Sequence, residues 1–239
     1  MSTSQYKVLT KFRSLFDGTE YRHRASNQGD WVASFLIDDL YNLGQSPKLT
    51  TRVDARTRVL NAQNRTVGKQ HRRGDGTFGV VVPLEVPESV LGYEVAFAAV
   101  ANVEIGTETK ILAKAMIKQL DRVGTDMINQ AEEFRKHGNK PLCVGVIGIN
   151  QSPVYRSLEG RVEWVTTGNS GHRHPIQEAE EAERRLVTRV NGYFDEIVVL
   201  RFSATNQNPF QFAWIDQSRV EREYGAALVR LSAAYENRF

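Results

Sequence analysis

One cysteine, Cys143, stands in 239 residues, so no intrachain disulfide can form. A lone thiol inside the apolar run 141–151 fits a reducing interior, and a cytoplasmic protein is the expectation. No apolar stretch approaches the roughly 20 residues that a membrane-crossing helix needs. The opening MSTSQYKVLTKF also lacks the apolar centre of a secretory leader, so no membrane partner is expected. Neither a Walker loop nor a dinucleotide fingerprint occurs, and Gly145 and Gly148 fall inside a strand-like run. There is no Gly-x-Ser-x-Gly, no Cys–His pairing for covalent catalysis, and no internal repeat.

A large excess of one charge is missing too: the net charge is +3, with 41% hydrophobic and 25% charged residues. That is the composition of an ordinary globular chain, and the length predicts one domain spanning residues 1–239. The charge is nevertheless uneven. Residues 1–75 hold 13 Lys/Arg against 7 Asp/Glu, which suits a polyanionic partner or simply a solvated face.

Residues up to about 25 read as a short helical arm rich in aromatic and basic side chains. In 26–44, Trp31, Phe35, Leu36, Leu40 and Leu43 recur at helical spacing, which leaves Asp38 and Asp39 on the wet side. The stretch LTTRVDARTRVL alternates as a half-exposed strand would, with Arg52, Asp54, Arg56 and Arg58 in one phase. A second strand follows Gly74-Asp75-Gly76, and a third covers 93–111. A helical stripe runs through Ala113, Met116, Ile117, Leu120, Met127, Ile128, Ala131 and Phe134. The apolar runs 141–151 and 196–206 read as strands buried on both faces. Residues 152–174 form a polar connection, 174–194 a helix, and about 216–239 a closing helix. Helices between strands require crossovers and parallel pairing, so the expected fold class is α/β with a mixed central sheet flanked by helices.

The chemistry concentrates in Val100–Ile111. Residues two apart on a strand share a face, so Glu108 and Lys110 stand side by side, with Glu104 expected in the same phase. Carboxylates and an amine on one face of an apolar strand are costly to bury without partners or a metal. Asp75, between two glycines at the mouth of an apolar strand, suits a metal ligand or a turn. His172 and His174 lie in a polar, Gly-rich loop without further ligands, and a surface loop is expected there rather than a zinc site.

Gly-Asp-Gly upstream of Glu108-Thr109-Lys110, in this order of elements, resembles the PD-(D/E)xK restriction-endonuclease-like nucleases. The resemblance spans about residues 26–205 and implies an αβββαβ core. It implies that Asp75 and Glu108 are the Mg²⁺ ligands and that Lys110 serves the transition state. Glu104 would be an accessory carboxylate. Gln119 resembles the Gln that some exonuclease-like members place near their site. The activity implied is Mg²⁺-dependent cleavage of double-stranded DNA, most simply by a type II restriction enzyme acting as a homodimer on a palindromic site. Expected DNA contacts are Arg52, Arg56, Arg58, Lys69, Arg72 and Arg73, the loop 152–174, and Lys114 and Lys118 from a basic stripe that continues to Arg122. The rival readings are a phage-defence effector or repair nuclease of the same fold, and a DNA-binding protein that does not cut.

Overall fold

The computed structural model describes residues 4–22, 28–66, 75–115, 117–137, 139–159, 162–166, 173–174 and 177–239. Its organising strand is β4 (Leu142–Asn150), buried over its whole length. Alternate side chains feed two cores: Val144 and Val146 join one, while Cys143, Ile147 and Ile149 join the other. This is the physical meaning of its unbroken apolar sequence.

Parallel neighbours flank β4, namely β3 (Phe97–Leu112) and β8 (Glu196–Ala204). Helix α4 (Leu120–His137) makes the first crossover, and α5 (Ala179–Val190) lies within the second. Both pack Met127, Ala131, Phe134, Leu186 and Val190 onto one face of the sheet. The other face is covered by α1 (Lys7–Ser14), α2 (Gln28–Leu43) and α6 (Gln217–Arg238), through residues such as Phe12, Leu36, Leu40, Leu228 and Tyr235. The sheet is completed by β1 (Arg58–Thr66) and β2 (Gly76–Val81) at one edge and β9 (Phe212–Trp214) at the other. β1 runs antiparallel to β2 and also parallel to the start of β3, so this edge curls around Val59, Ala98, Val100 and Val103. The result is a mixed six-stranded sheet between helices. No helix among the described residues is long and apolar enough to cross a membrane.

Several local expectations are corrected. Residues 47–54 form helix α3 (Pro47–Asp54), not a strand. The Ser46 side chain caps it by accepting from the Leu49 amide at 3.2 Å, Pro47 begins it, and Leu49 and Val53 bury one face four residues apart. Asp38 and Asp39, expected on a wet face, are buried. Asp39 accepts from the amides of Lys7 and Val8 at 2.8 and 3.0 Å and from the Tyr224 hydroxyl at 2.9 Å, which fastens α1. Asp38 accepts from the amides of Glu94 and Val95, each at 3.1 Å, at the approach to β3. The connection 152–174 carries a small separate sheet of β5 (Arg156–Glu159), β6 (Val162–Thr166) and β7 (Arg173–His174). The stripe from Ala113 is not helical at its start. Residues 113–115 precede a 3₁₀ turn at Ile117–Gln119, and α4 begins only at Leu120.

Candidate active site

Gly76 pairs with Thr107 in the antiparallel ladder between β2 and β3, so Asp75 comes level with Glu108 on the next strand. The Asp75 Oδ2 accepts from the Thr109 amide at 2.7 Å. Two close approaches admit this geometry. A β-carbon at Gly76 would stand 2.5 Å from the Ala33 Cβ of α2, and one at Gly29 would stand 2.5 Å from the Asp75 Cγ. The flanking glycine and the first turn of α2 therefore shape the seat of the carboxylate.

Glu108 is 5% exposed, and its Oε1 lies 2.6 Å from the Lys110 Nζ. Burial pulls the Lys110 ammonium down. The Glu108 carboxylate, with Asp75 and then Asp126 behind it, outweighs that and holds Lys110 above its ordinary 10.5. Lys110 is therefore a cation at neutral pH and not a proton acceptor.

These strands open into a cleft of about 330 Å³. Asp75, Lys110, Lys114, Gln119, Arg122 and Asp126 all line it. Gln119 donates through Nε2 to the Lys114 carbonyl. Lys118 is exposed on the 3₁₀ turn and does not line the cleft.

Glu104 is not brought here. Phe78 and Gly79 are adjacent on β2, yet they pair with Ile105 and Val103, so Glu104 is the extra residue of a bulge. Its side chain leaves the Glu108 face, accepting from the Arg58 Nε at 2.7 Å and from the Tyr235 hydroxyl of α6. Arg52, itself half-buried, joins the same group, with Nη1 3.9 Å from Glu104 and Nη2 donating to the Phe239 carbonyl at 2.8 Å. Arg56 donates to the Pro87 carbonyl and the Ser89 hydroxyl. Arg52, Arg56 and Arg58 thus serve internal contacts away from the cleft. Lys69, Arg72 and Arg73 lie outside the described residues, as does His172.

Asp126 did not stand out in the sequence. The available signal was its spacing of four from Arg122, which puts both on one face of α4. Tyr21 and Tyr155 also line the cleft and carried no signal, because they come from distant segments. Cys143 is buried, and burial pushes its thiol up to about 11, so it is an inert core residue.

Among the described residues, no three His, Cys, Asp or Glu side chains form a ready metal cage. Asp75 and Glu108 nevertheless suit Mg²⁺, a hard ion that usually takes one or two carboxylates and completes its shell with water and substrate phosphate. No protein-family model, curated protein or solved structure matches this chain.

Proposed function

We propose that this protein is a Mg²⁺-dependent endodeoxyribonuclease of the restriction-endonuclease type, cutting double-stranded DNA. One observation carries the reading: Asp75 from the mouth of β2 and Lys110 from β3 line one cleft, and Glu108, buried just behind its wall, pairs with Lys110 at 2.6 Å. The element order α3–β1–β2–β3–α4–β4 supports it, because an αβββαβ order is the one expected of such enzymes.

Asp75 and Glu108 would hold the ion, which supplies Lewis acidity towards a phosphoryl oxygen and makes water a better nucleophile at neutral pH. Lys110 stays protonated, so its part is to donate hydrogen bonds to the reacting phosphate and offset the negative charge that builds there. The Thr109 amide holds Asp75 in place through its 2.7 Å bond. Lys114 and Arg122 on the cleft wall provide positive charge for the incoming strand. On duplex DNA with a palindromic site, two copies would act together, one on each strand.

Incubating supercoiled plasmid with the protein in Mg²⁺, in Ca²⁺ and in EDTA tests the reading. Cleavage is expected in Mg²⁺ alone, with Ca²⁺ supporting binding and little hydrolysis. Lys110→Ala should lose on the order of 100-fold or more in rate. Undiminished cutting in EDTA overturns the proposal, and intact DNA that shifts in a gel reduces it to binding. Discrete fragments point to restriction and a smear to an unspecific nuclease.

A further inference from the structure

Four buried side-chain hydroxyls have no hydrogen-bond partner among the described residues: Thr77, Thr109, Tyr155 and Ser232. Two of them, Thr109 and Tyr155, line the cleft that holds Asp75 and Lys110. A buried hydroxyl left unpaired forfeits its hydration, and such groups in native proteins call for an explanation. Tyr155 is not loosely placed. Its amide donates to the Thr166 Oγ1 at 2.6 Å and its carbonyl accepts from the Thr166 amide at 3.0 Å. Burial raises its phenol above the ordinary 10, so it offers a proton to an acceptor across the physiological range.

The same cleft carries Lys114 and Arg122. The chain at Lys114 is pinned on both sides. Gln177 Oε1 accepts from the Ala115 amide at 2.6 Å, and the Ala113 carbonyl accepts from Asn150 Nδ2 at 2.9 Å and Gln177 Nε2 at 3.0 Å. Arg122 is exposed at the cleft and forms no ion pair among the described residues. A fixed phenolic donor, a second hydroxyl and two cations, beside the Asp126 carboxylate that also lines the cleft, suit an anion with several acceptor oxygens, and these side-chain types are the usual holders of phosphate.

We propose that this part of the cleft is a subsite for the phosphate next to the scissile one, with Tyr155 donating to a non-bridging oxygen and Lys114 and Arg122 supplying the charge. The inference rests on the nuclease reading for its substrate. It makes the enzyme distinguish a polynucleotide from an isolated phosphodiester.

Tyr155→Phe and Arg122→Ala are compared with the unaltered protein on a DNA duplex and on bis(para-nitrophenyl) phosphate, a diester with no neighbouring phosphate. Both variants should lower kcat/KM on the duplex at least about tenfold more than on the small diester, the scale of one lost hydrogen bond to a charged group. Tyr155→Phe should leave Tm equal or higher, since it removes an unpaired buried hydroxyl. Duplex affinity measured in Ca²⁺ should weaken in both variants. Equal losses on the two substrates, or none, overturn the subsite while leaving the nuclease reading intact. If the unaltered protein hydrolyses neither substrate in Mg²⁺, the nuclease reading fails and affinity decides. Weaker duplex binding by Tyr155→Phe then keeps the subsite in a binding protein, and unchanged or absent binding overturns it.

Discussion

The Asp75 carboxylate rests against the bare Cα of Gly29: a β-carbon there would stand 2.5 Å from Cγ and 2.6 Å from each carboxylate oxygen. Gly29 lies in the first turn of α2, where the partial positive charge of the helix end favours an anion. A residue with no side chain thereby sets the position of a candidate metal ligand.

Gly29→Ala should separate activity from stability. Alanine's preference over glycine in a helix, at most about 1 kcal/mol, is set against the displaced Asp75 and its bond from the Thr109 amide, so Tm should change by only a few degrees. The displaced Asp75 should cost on the order of 100-fold in cleavage, the scale of a misplacement near 1 Å. A plasmid assay beside thermal unfolding checks this, and full activity in the variant would show that the contact is unimportant.

Asp75 and Asp54 make a matched pair of acids. Asp54 ends α3, is exposed, and accepts from the Tyr41 hydroxyl at 2.7 Å, far from any role in the cleft. Asp75→Asn should reduce cleavage by more than about 100-fold. Asp54→Asn should keep near-full activity and shift stability by about 0.5 kcal/mol or less. Rates from both folded variants, with circular dichroism as the folding check, decide the assignment, and the opposite pattern refutes it.

Glu104 should matter to the fold rather than to cutting. It is 3% exposed and held by Arg58 and Tyr235, so Glu104→Gln leaves the half-buried Arg58 without its counter-charge. Removing one partner of a fully buried pair costs about 3 kcal/mol or more, and with Arg58 partly open to solvent the loss should be on the order of 1–2 kcal/mol. Urea unfolding should reveal that loss, while the cleavage rate per folded molecule changes little. A stable variant that cannot cut would return Glu104 to the catalytic group.

Stability should depend on pH through Asp39. Burial is the main cause that pushes its carboxyl up to about 6, against the Val8 and Lys7 amides and the Tyr224 hydroxyl, with Asp38 adding to the rise. The folded chain then holds this proton where the unfolded chain has lost it, between about pH 4 and 6. The group's contribution is full below about pH 4 and is lost as the pH rises through 6, by roughly 3 kcal/mol in all. Unfolding free energies of the protein and of Asp39→Asn, measured across that window, should differ in slope. Identical slopes would remove Asp39 as the cause.

Periodicity by itself determined a good deal of this protein. The unbroken apolar run 141–151 became the wholly buried β4, the run 196–206 became β8 with only alternate residues buried rather than both faces, and the stripe of Trp31, Phe35, Leu36 and Leu40 became α2. The period of two placed Glu108 beside Lys110, since i and i+2 on one regular strand need nothing else to face the same way. Only the tertiary structure decided what lay beyond a regular repeat. One extra residue at the β3 bulge turned Glu104 to the opposite face, and a Ser46–Pro47 cap with Leu49 and Val53 made α3 out of an apparent alternation. Burial of Asp38 and Asp39 depended on amides more than 30 residues distant. Tyr155 and Asp126 reach the cleft from a strand connection and a helix that no local pattern ties to Asp75. A repeat records which face a side chain takes on its own element, whereas a site depends on which elements meet, and packing settles that.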